Sequence, residues 1–275
     1  MQEFASAARL QQKRIGVVPT MGYLHKGHLS LVRAAKERSD LVIMTLFVNP
    51  TQFAPTEDLS RYPRDLTRDS ELAASAGVDV LFTPAAEEMY PSGYDTYIIS
   101  ERLGTVLEGE FRPTHFRGVL TVVAKLFNIT QPHVAVFGQK DAQQAVVITR
   151  MARDLNFGIE IIIAPTVRES DGLAMSSRNV YLSPTEHTQA LALSRSLKIA
   201  EDIITRGERD AQKIISSMTA HITREPDAKI DYIAITDHEK LEPLAKLQSG
   251  ATALISLAVR FGKTRLIDNT LVKVG

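Results

Sequence analysis

The stretch IGVVPTMGYLHKGHLSLVRAAKERSDLVIMTLFV, residues 15–48, decides the fold. It opens on a β-branched run, Ile15–Pro19, and turns through a segment holding two glycines. A helical pattern follows at Gly27–Arg38, then a second apolar run at Leu41–Val48. That second run is almost continuously apolar, as a strand buried on both faces must be, and such strands belong to parallel sheets covered by helices. Reading outward, the alternation continues with a helix at Leu66–Ala76, a strand at Val78–Thr83, a helix at Gly118–Thr130 and a strand at His133–Phe137. It ends with a helix at Ala142–Leu155 and a strand at Gly158–Ala164. The expectation is an α/β layer, a doubly wound parallel sheet with right-handed crossovers.

Past Thr166 the rhythm changes. Ser183–Pro184 reads as a helix N-cap and first helical residue. Two helical stretches follow, Thr185–Arg206 and Asp210–Arg224, and then three strand-like runs, Ile230–Thr236, Ala251–Val259 and Thr264–Val272. Residues 1–170 are therefore expected to form a Rossmann-like nucleotide-binding domain and residues 171–275 a smaller α+β domain acting as a lid, with the boundary in the loop Val167–Ser183.

Composition limits the function. With 44% hydrophobic and 23% charged residues in 275, a disordered or fibrous chain is excluded. Lys+Arg and Asp+Glu balance at 32 each, so no net field draws the protein to nucleic acid or an anionic membrane, and any anion site must be local. Without cysteine there is no disulfide, thiolate metal site or thiol nucleophile. The N-terminal MQEFASAARLQQKR lacks a signal-peptide core, and no apolar run reaches the roughly 18 residues of a membrane helix, so a cytoplasmic location is expected.

Four loop segments carry residues suited to chemistry. Met21-Gly22-Tyr-Leu-His25-Lys-Gly27-His28 joins the first strand to the first helix, where backbone N–H groups and the helix dipole favour phosphate; His25 and His28 can donate to its oxygens. Gly138-Gln139-Lys140-Asp141-Ala142-Gln143-Gln144 repeats that placement, with Lys140 a point charge for phosphate and Asp141 a helix N-cap. Met175-Ser176-Ser177-Arg178 offers two hydroxyls and a guanidinium in a loop that can close on a triphosphate. Phe47-Val-Asn49-Pro50-Thr51-Gln52-Phe53 ends the second strand, and Gln52 can both donate to and accept from a hydroxylated acid. Other candidates are weaker. Arg112, His115 and Arg117 either bind an anion or begin a helix. Asp65 and Asp69 are expected on a solvated helix face, with a magnesium role open for Asp69. His133, His187, His221 and His238 have no partners at metal-ligand spacing and read as structural or exposed.

Taken together, PTMGYLHKGH, FVNPTQF, YPR at Tyr62–Arg64, MYP at Met89–Pro91, RPTHFRGV, FGQKDAQQ and PTVRESDGLAMSSRN resemble the pantoate–β-alanine ligase family over nearly the whole chain. The His-x-Gly-His element alone, a HIGH-type motif, would indicate only the wider nucleotidylyltransferase superfamily. The resemblance implies an AMP-forming ligase for pantoate and β-alanine in pantothenate and coenzyme A biosynthesis, with ATP as substrate, Mg2+ and a homodimer. It implies catalytic roles for His28, His25 and Lys140. ATP would be bound by Met21, Gly22, His25, Gly27, His28, Gly138, Gln139, Lys140, Asp141, Val167, Met175, Ser176, Ser177 and Arg178, and pantoate by Gln52 and Gln144. Gln139, Ala142 and Arg68 depart from a pattern that often carries Glu, an aromatic and an acidic residue there, and Arg68 weakens a paired-carboxylate magnesium site around Asp69. The alternatives are a nucleotidylyltransferase that leaves the nucleotide on its product, an aminoacyl-tRNA synthetase, disfavoured by zero net charge, and an inactive ATP-binding protein, disfavoured by intact His25, His28 and Lys140.

Overall fold

The computed structural model describes residues 1–55 and 57–275. Its contacts separate two units, Met1–Gln139 with Gln143–Pro165, and Lys140–Ala142 with Thr166–Gly275. The sequence placed the break at 170/171. It falls after Pro165: Arg168 pairs with Asp268 of the second unit, and the Arg168–Ala174 bridge carries the rest of the hairpin with it.

The first unit contains α1 (Gln2–Leu10), β1 (Ile15–Thr20), α2 (Lys26–Lys36), β2 (Leu41–Leu46), α3 (Leu66–Ser75), β3 (Val80–Phe82), α4 (Ala86–Met89), α5 (Glu108–Phe111), α6 (His115–Thr130), β4 (Val134–Gly138), most of α7 (Ala142–Asp154), and β5 (Glu160–Ala164). The strands form one parallel sheet in the order β3-β2-β1-β4-β5, the doubly wound arrangement expected. Val18, Leu24, Val32, Met44, Val134 and Val136 are buried together between α2 and the sheet. Helix α1 was not anticipated: its polar residues hide the burial of Ala5 and Ala8.

The central strand β1 has neighbours on both sides. It pairs with β2 over six residues, from Ile15–Leu41 to Thr20–Leu46, but with β4 only at Gly16–Val134 and Val17–Ala135. Beyond that point β1 follows β2 and β4 follows β5, so the two strands part at their carboxyl ends. The loops that follow them flank the opening where an open α/β sheet takes its ligand.

The second unit comprises α8 (Pro184–Thr205), α9 (Ala211–Ile222) and the antiparallel strands β6 (Ala228–Asp237), β7 (Thr252–Phe261) and β8 (Thr264–Lys273). Ser183 caps α8 in a reciprocal pair with Glu186. Ile214, Met218, Ile255, Leu257 and Phe261 lie in the core between these helices and the sheet. Among the described residues, no helix is long and apolar enough to cross a membrane.

Two features of the first unit have measurable consequences. His133 Nδ1 accepts from Ile15 N at 3.0 Å, and partial burial, with Arg9 and Arg14 nearby, lowers its pKa. The unfolded chain therefore binds a proton more readily, and stability falls as pH drops through the ordinary histidine value near 6.5. His133→Gln retains an acceptor without that proton, so its Tm is expected to fall less than wild type between pH 7.5 and 5.5; parallel curves would refute the assignment. Separately, a Cβ at Gly118 of α6 would come within 2.6 Å of backbone atoms of Thr51 and Gln52, in the 3-10 turn Pro50–Gln52. Gly118→Ala is thus expected to cost about 1–3 kcal/mol in denaturant unfolding; an unchanged midpoint would show that the two segments separate freely.

Candidate active site

Thr20, the last residue of β1, donates its hydroxyl to Thr45 O at 2.6 Å and accepts from Gly22 N at 3.3 Å, pulling the chain into a turn. Gly22 and Tyr23 hold φ angles of 87° and 50°, the left-handed region, before the backbone extends at His25 to become the N-cap of α2. His25 Nδ1 accepts from Gly27 N at 3.1 Å, and His28 Nδ1 accepts from His25 N at 3.3 Å. An accepting Nδ1 leaves the proton of a neutral imidazole on Nε2, so these hydrogen bonds assign both rings the Nε2–H tautomer. With ring centroids 4.0 Å apart, the pair presents two N–H donors at the positive end of a helix.

At the end of β2 a network orients Gln52. Burial raises the Tyr90 phenol to about 12, and its hydroxyl donates to Asn49 Oδ1 at 2.8 Å. Thr51 Oγ1 donates to the same oxygen at 2.9 Å. Asn49 Nδ2 therefore faces the other way, donating to Gln52 Oε1 at 3.0 Å and Gly118 O at 3.1 Å. With its oxygen committed, Gln52 has Nε2 to offer, and that atom lies 3.2 Å from Met21 Sδ. Two expected site residues thus meet here. Behind them His115 Nδ1 lies 3.1 Å from Gln52 O, while Arg112 pairs with Glu57 at 2.6 Å and sits 3.2 Å from His115 Nε2. His115 begins α6 without a side-chain cap from Thr114, so this cluster supports the Gln52 turn. Asn49 and Tyr90 belong to motifs quoted from the sequence, but nothing local in it says that one orients the other.

Gly138 closes β4, and a Cβ there would meet only Leu31 Cδ2, at 4.0 Å. Of the adjacent glutamines, Gln143 is consumed by the fold: its amide bonds Glu108 N, Leu103 O and Val106 O. The Gln144 side chain is half-buried and makes no hydrogen bond to a described residue.

In the second unit, Lys140 Nζ lies 3.5 Å from Asp141 Oδ1, and Lys140 O accepts from Asn269 Nδ2 at 2.8 Å. Lys140, Ser176, Asn179 and Asp268 line a small cleft with Leu173 and Leu266. Val167 O accepts from Met175 N, and Ser176 Oγ caps the turn Ser177–Tyr181 through Arg178 N. Arg168 forms a bidentate pair with buried Asp268 at 2.6 and 3.0 Å. Val167–Ser183, which the sequence suggested as an interdomain loop able to close on a triphosphate, thus contains a bonded hairpin and a 3-10 turn.

Two expectations are corrected. Asp69 does not face solvent: it is 2% exposed, its oxygens accept from Tyr23 N at 2.6 Å and Leu24 N at 2.7 Å, and only Asp65 serves as the α3 cap. His187 does have neighbours at ligand distance, since folding brings its Nε2 within 2.8 Å of Asp171 and 4.0 Å of Glu169. Both contacts are tertiary and leave no trace in residue spacing.

Comparison with known proteins identifies the family. The family model described as pantoate-beta-alanine ligase matches residues 1–271. A pantothenate synthetase from Moorella thermoacetica is 58% identical over 274 residues, covering 100% of this chain and 96% of that protein. One from Thermotoga petrophila is 55% identical over 272 residues, covering 99% and 96%. The crystal structure of the Thermus thermophilus pantothenate synthetase superposes with a TM-score of 0.90 at 46% identity, covering 97% of this chain and 96% of that one. The Francisella tularensis pantoate-beta-alanine ligase, solved in complex with beta-gamma ATP and beta-alanine, gives 0.78 at 37% identity, covering 98% and 94%. A family match along almost the whole length, with relatives this similar across both units, places the chain in the pantoate–β-alanine ligase family.

Proposed function

We propose that this chain condenses pantoate with β-alanine through a pantoyl adenylate. A pantoate carboxylate oxygen attacks the α-phosphorus of ATP, and the bond to pyrophosphate breaks. The β-alanine nitrogen then attacks the acyl carbon, the bond to AMP breaks, and the amine proton is lost to solvent. Neither step needs an enzyme nucleophile, consistent with a chain without cysteine.

The observation that carries this reading is the His25–His28 pair, two imidazoles locked as Nε2–H donors at the start of α2. In the first unit we assign Met21, Gly22, His25, Gly27, His28, Gly138 and Gln139 to ATP, with His28 and His25 stabilising charge on the phosphates. Gln52 and Gln144 are assigned to pantoate: the Gln52 oxygen is held by Asn49, which leaves its N–H to a carboxylate or hydroxyl. In the second unit Lys140, Asp141, Val167, Met175, Ser176, Ser177 and Arg178 are assigned to ATP, with Lys140 a further phosphate cation. Mg2+ would be brought by the nucleotide and would neutralise phosphate charge. Asp69 does not fit as a metal ligand, because both its oxygens already accept backbone N–H groups. A homodimer and a cytoplasmic location are proposed from the family resemblance.

The test is AMP formation from ATP, magnesium, pantoate and β-alanine, omitting each in turn; a product that retains the nucleotide would indicate a transferase instead. His28→Ala is expected to slow adenylation by ~10²–10³, as removal of one preorganised donor does, with only a small fall in Tm from the lost bond to His25 N. Turnover near wild type would make His28 a bystander. Gln52→Ala is expected to raise the KM for pantoate at least ~10-fold, since a buried polar partner left unpaired costs ~1–3 kcal/mol, with little change for ATP. An equal loss for ATP would overturn the division between the two loops.

A further inference from the structure

We infer that Asp69 is a positioning residue that sets the tautomers of His25 and His28 through the backbone between them; this rests on the assignment of those histidines to ATP. Its carboxylate, 2% exposed at the start of α3, receives two consecutive backbone donors, Tyr23 N on Oδ2 at 2.6 Å and Leu24 N on Oδ1 at 2.7 Å. Successive amides converging on one anionic group make a concave anion nest, here filled by the protein's own side chain. The neighbouring residue completes the grip. Arg68 Nη2 donates to Leu24 O at 2.8 Å, its Nη1 reaches Asp69 Oδ1 at 3.3 Å, and its guanidinium lies 4.8 Å from the Tyr23 ring centroid.

These contacts act on the two residues that most need holding. Tyr23 sits at φ 50°, a conformation an L side chain adopts only when its surroundings impose it, and Leu24 is fully buried, so its N–H has no recourse to water. His25 follows directly, at φ −141° and ψ 173°. From that extended geometry His25 Nδ1 reaches Gly27 N, and His25 N reaches His28 Nδ1. The reciprocal bonds keep both protons on Nε2. If the clamp is released, the chain is free to leave the left-handed turn, and the imidazoles lose the donors that fix their tautomers. A divalent cation at Asp69 would have to displace both amides and sit against Arg68, so the carboxylate is fitted to the loop and not to a metal.

Asp69→Asn tests this, because the amide has the same shape but must point N–H atoms at one of the two backbone donors. We expect kcat for AMP formation to fall ~10–100-fold at saturating ATP and magnesium, the loss that follows a small displacement of catalytic groups. In ¹⁵N spectra of the histidine-labelled protein, the unprotonated Nδ1 and protonated Nε2 signals of His25 and His28 should give way to mixed tautomers. A purely structural role would lower Tm and leave the tautomers and kcat intact. That result, or restoration of kcat by raised magnesium, would overturn the inference. Should the variant fail to fold, Arg68→Met retains the carboxylate and releases Leu24 O. It is expected to shift the same signals and to slow turnover several-fold, and a wild-type spectrum and rate would equally overturn it. His28→Ala separates the two levels: wild-type adenylation in that variant would remove the ATP assignment, while the tautomer spectra would still report on the Asp69 clamp.

Discussion

Everything in the first unit depends on how briefly β1 and β4 pair. Two adjacent parallel strands gain most by hydrogen bonding along their full length, yet here the ladder holds only Gly16–Val134 and Val17–Ala135. Each strand then stays with its other neighbour, β1 with β2 to Thr20–Leu46 and β4 with β5 to Gly138–Ala164. The strand order reverses at this seam, since β1 leads outward on one side and β4 on the other. The loops leaving the two strands therefore diverge, and the opening between them needs no special sequence to maintain it. What the sequence supplies is the chemistry at its edges: the turn to His25 and His28 on one side, and Gly138 and Gln139 on the other.

Within that frame, the useful donors are defined by subtraction. Many polar groups near the strand ends are already committed to the fold: Asn49 to Gln52 and Gly118, Gln143 to three backbone groups, Asp69 to two. Each commitment restricts a neighbour to one orientation. Asn49 cannot rotate its amide, because Tyr90 and Thr51 both donate to its oxygen, so Gln52 must present nitrogen and not oxygen. A buried network whose members are all paired is rigid, and rigidity keeps a donor aimed before substrate arrives.

This explains which parts of the molecule could be read from the chain. Leu41–Leu46 and the helix after Ser183 were legible because continuous apolar runs and capping boxes are local signals. The places of the loops bearing His25, Gln52 and Lys140 were legible because each follows an apolar strand run, now β1, β2 and β4. Asp69 was not. Asp65, Arg68 and Asp69 read as a charged helix face, and only the return of the Tyr23–Leu24 turn, 45 residues earlier, buries one of them. Helix α1 escaped for a related reason: its buried residues are alanines, too small to mark an apolar stripe against Glu3, Arg9 and an exposed Leu10.

The second unit handles its candidate residues by the same logic with a different anchor. A carboxylate as buried as Asp268 requires a partner, and Arg168 meets it with both arms of the guanidinium. Arg168 also bonds Gly172 O, so the pair fixes the base and tip of the hairpin at once. Next to Asp268 along β8, Asn269 takes hold of the Lys140 carbonyl. The strand that secures the hairpin leading to Ser176 thus also secures the backbone of Lys140. The Lys140 backbone and the hairpin leading to Ser176 are thereby referred to one strand, β8, which is itself held by its pairing with β7.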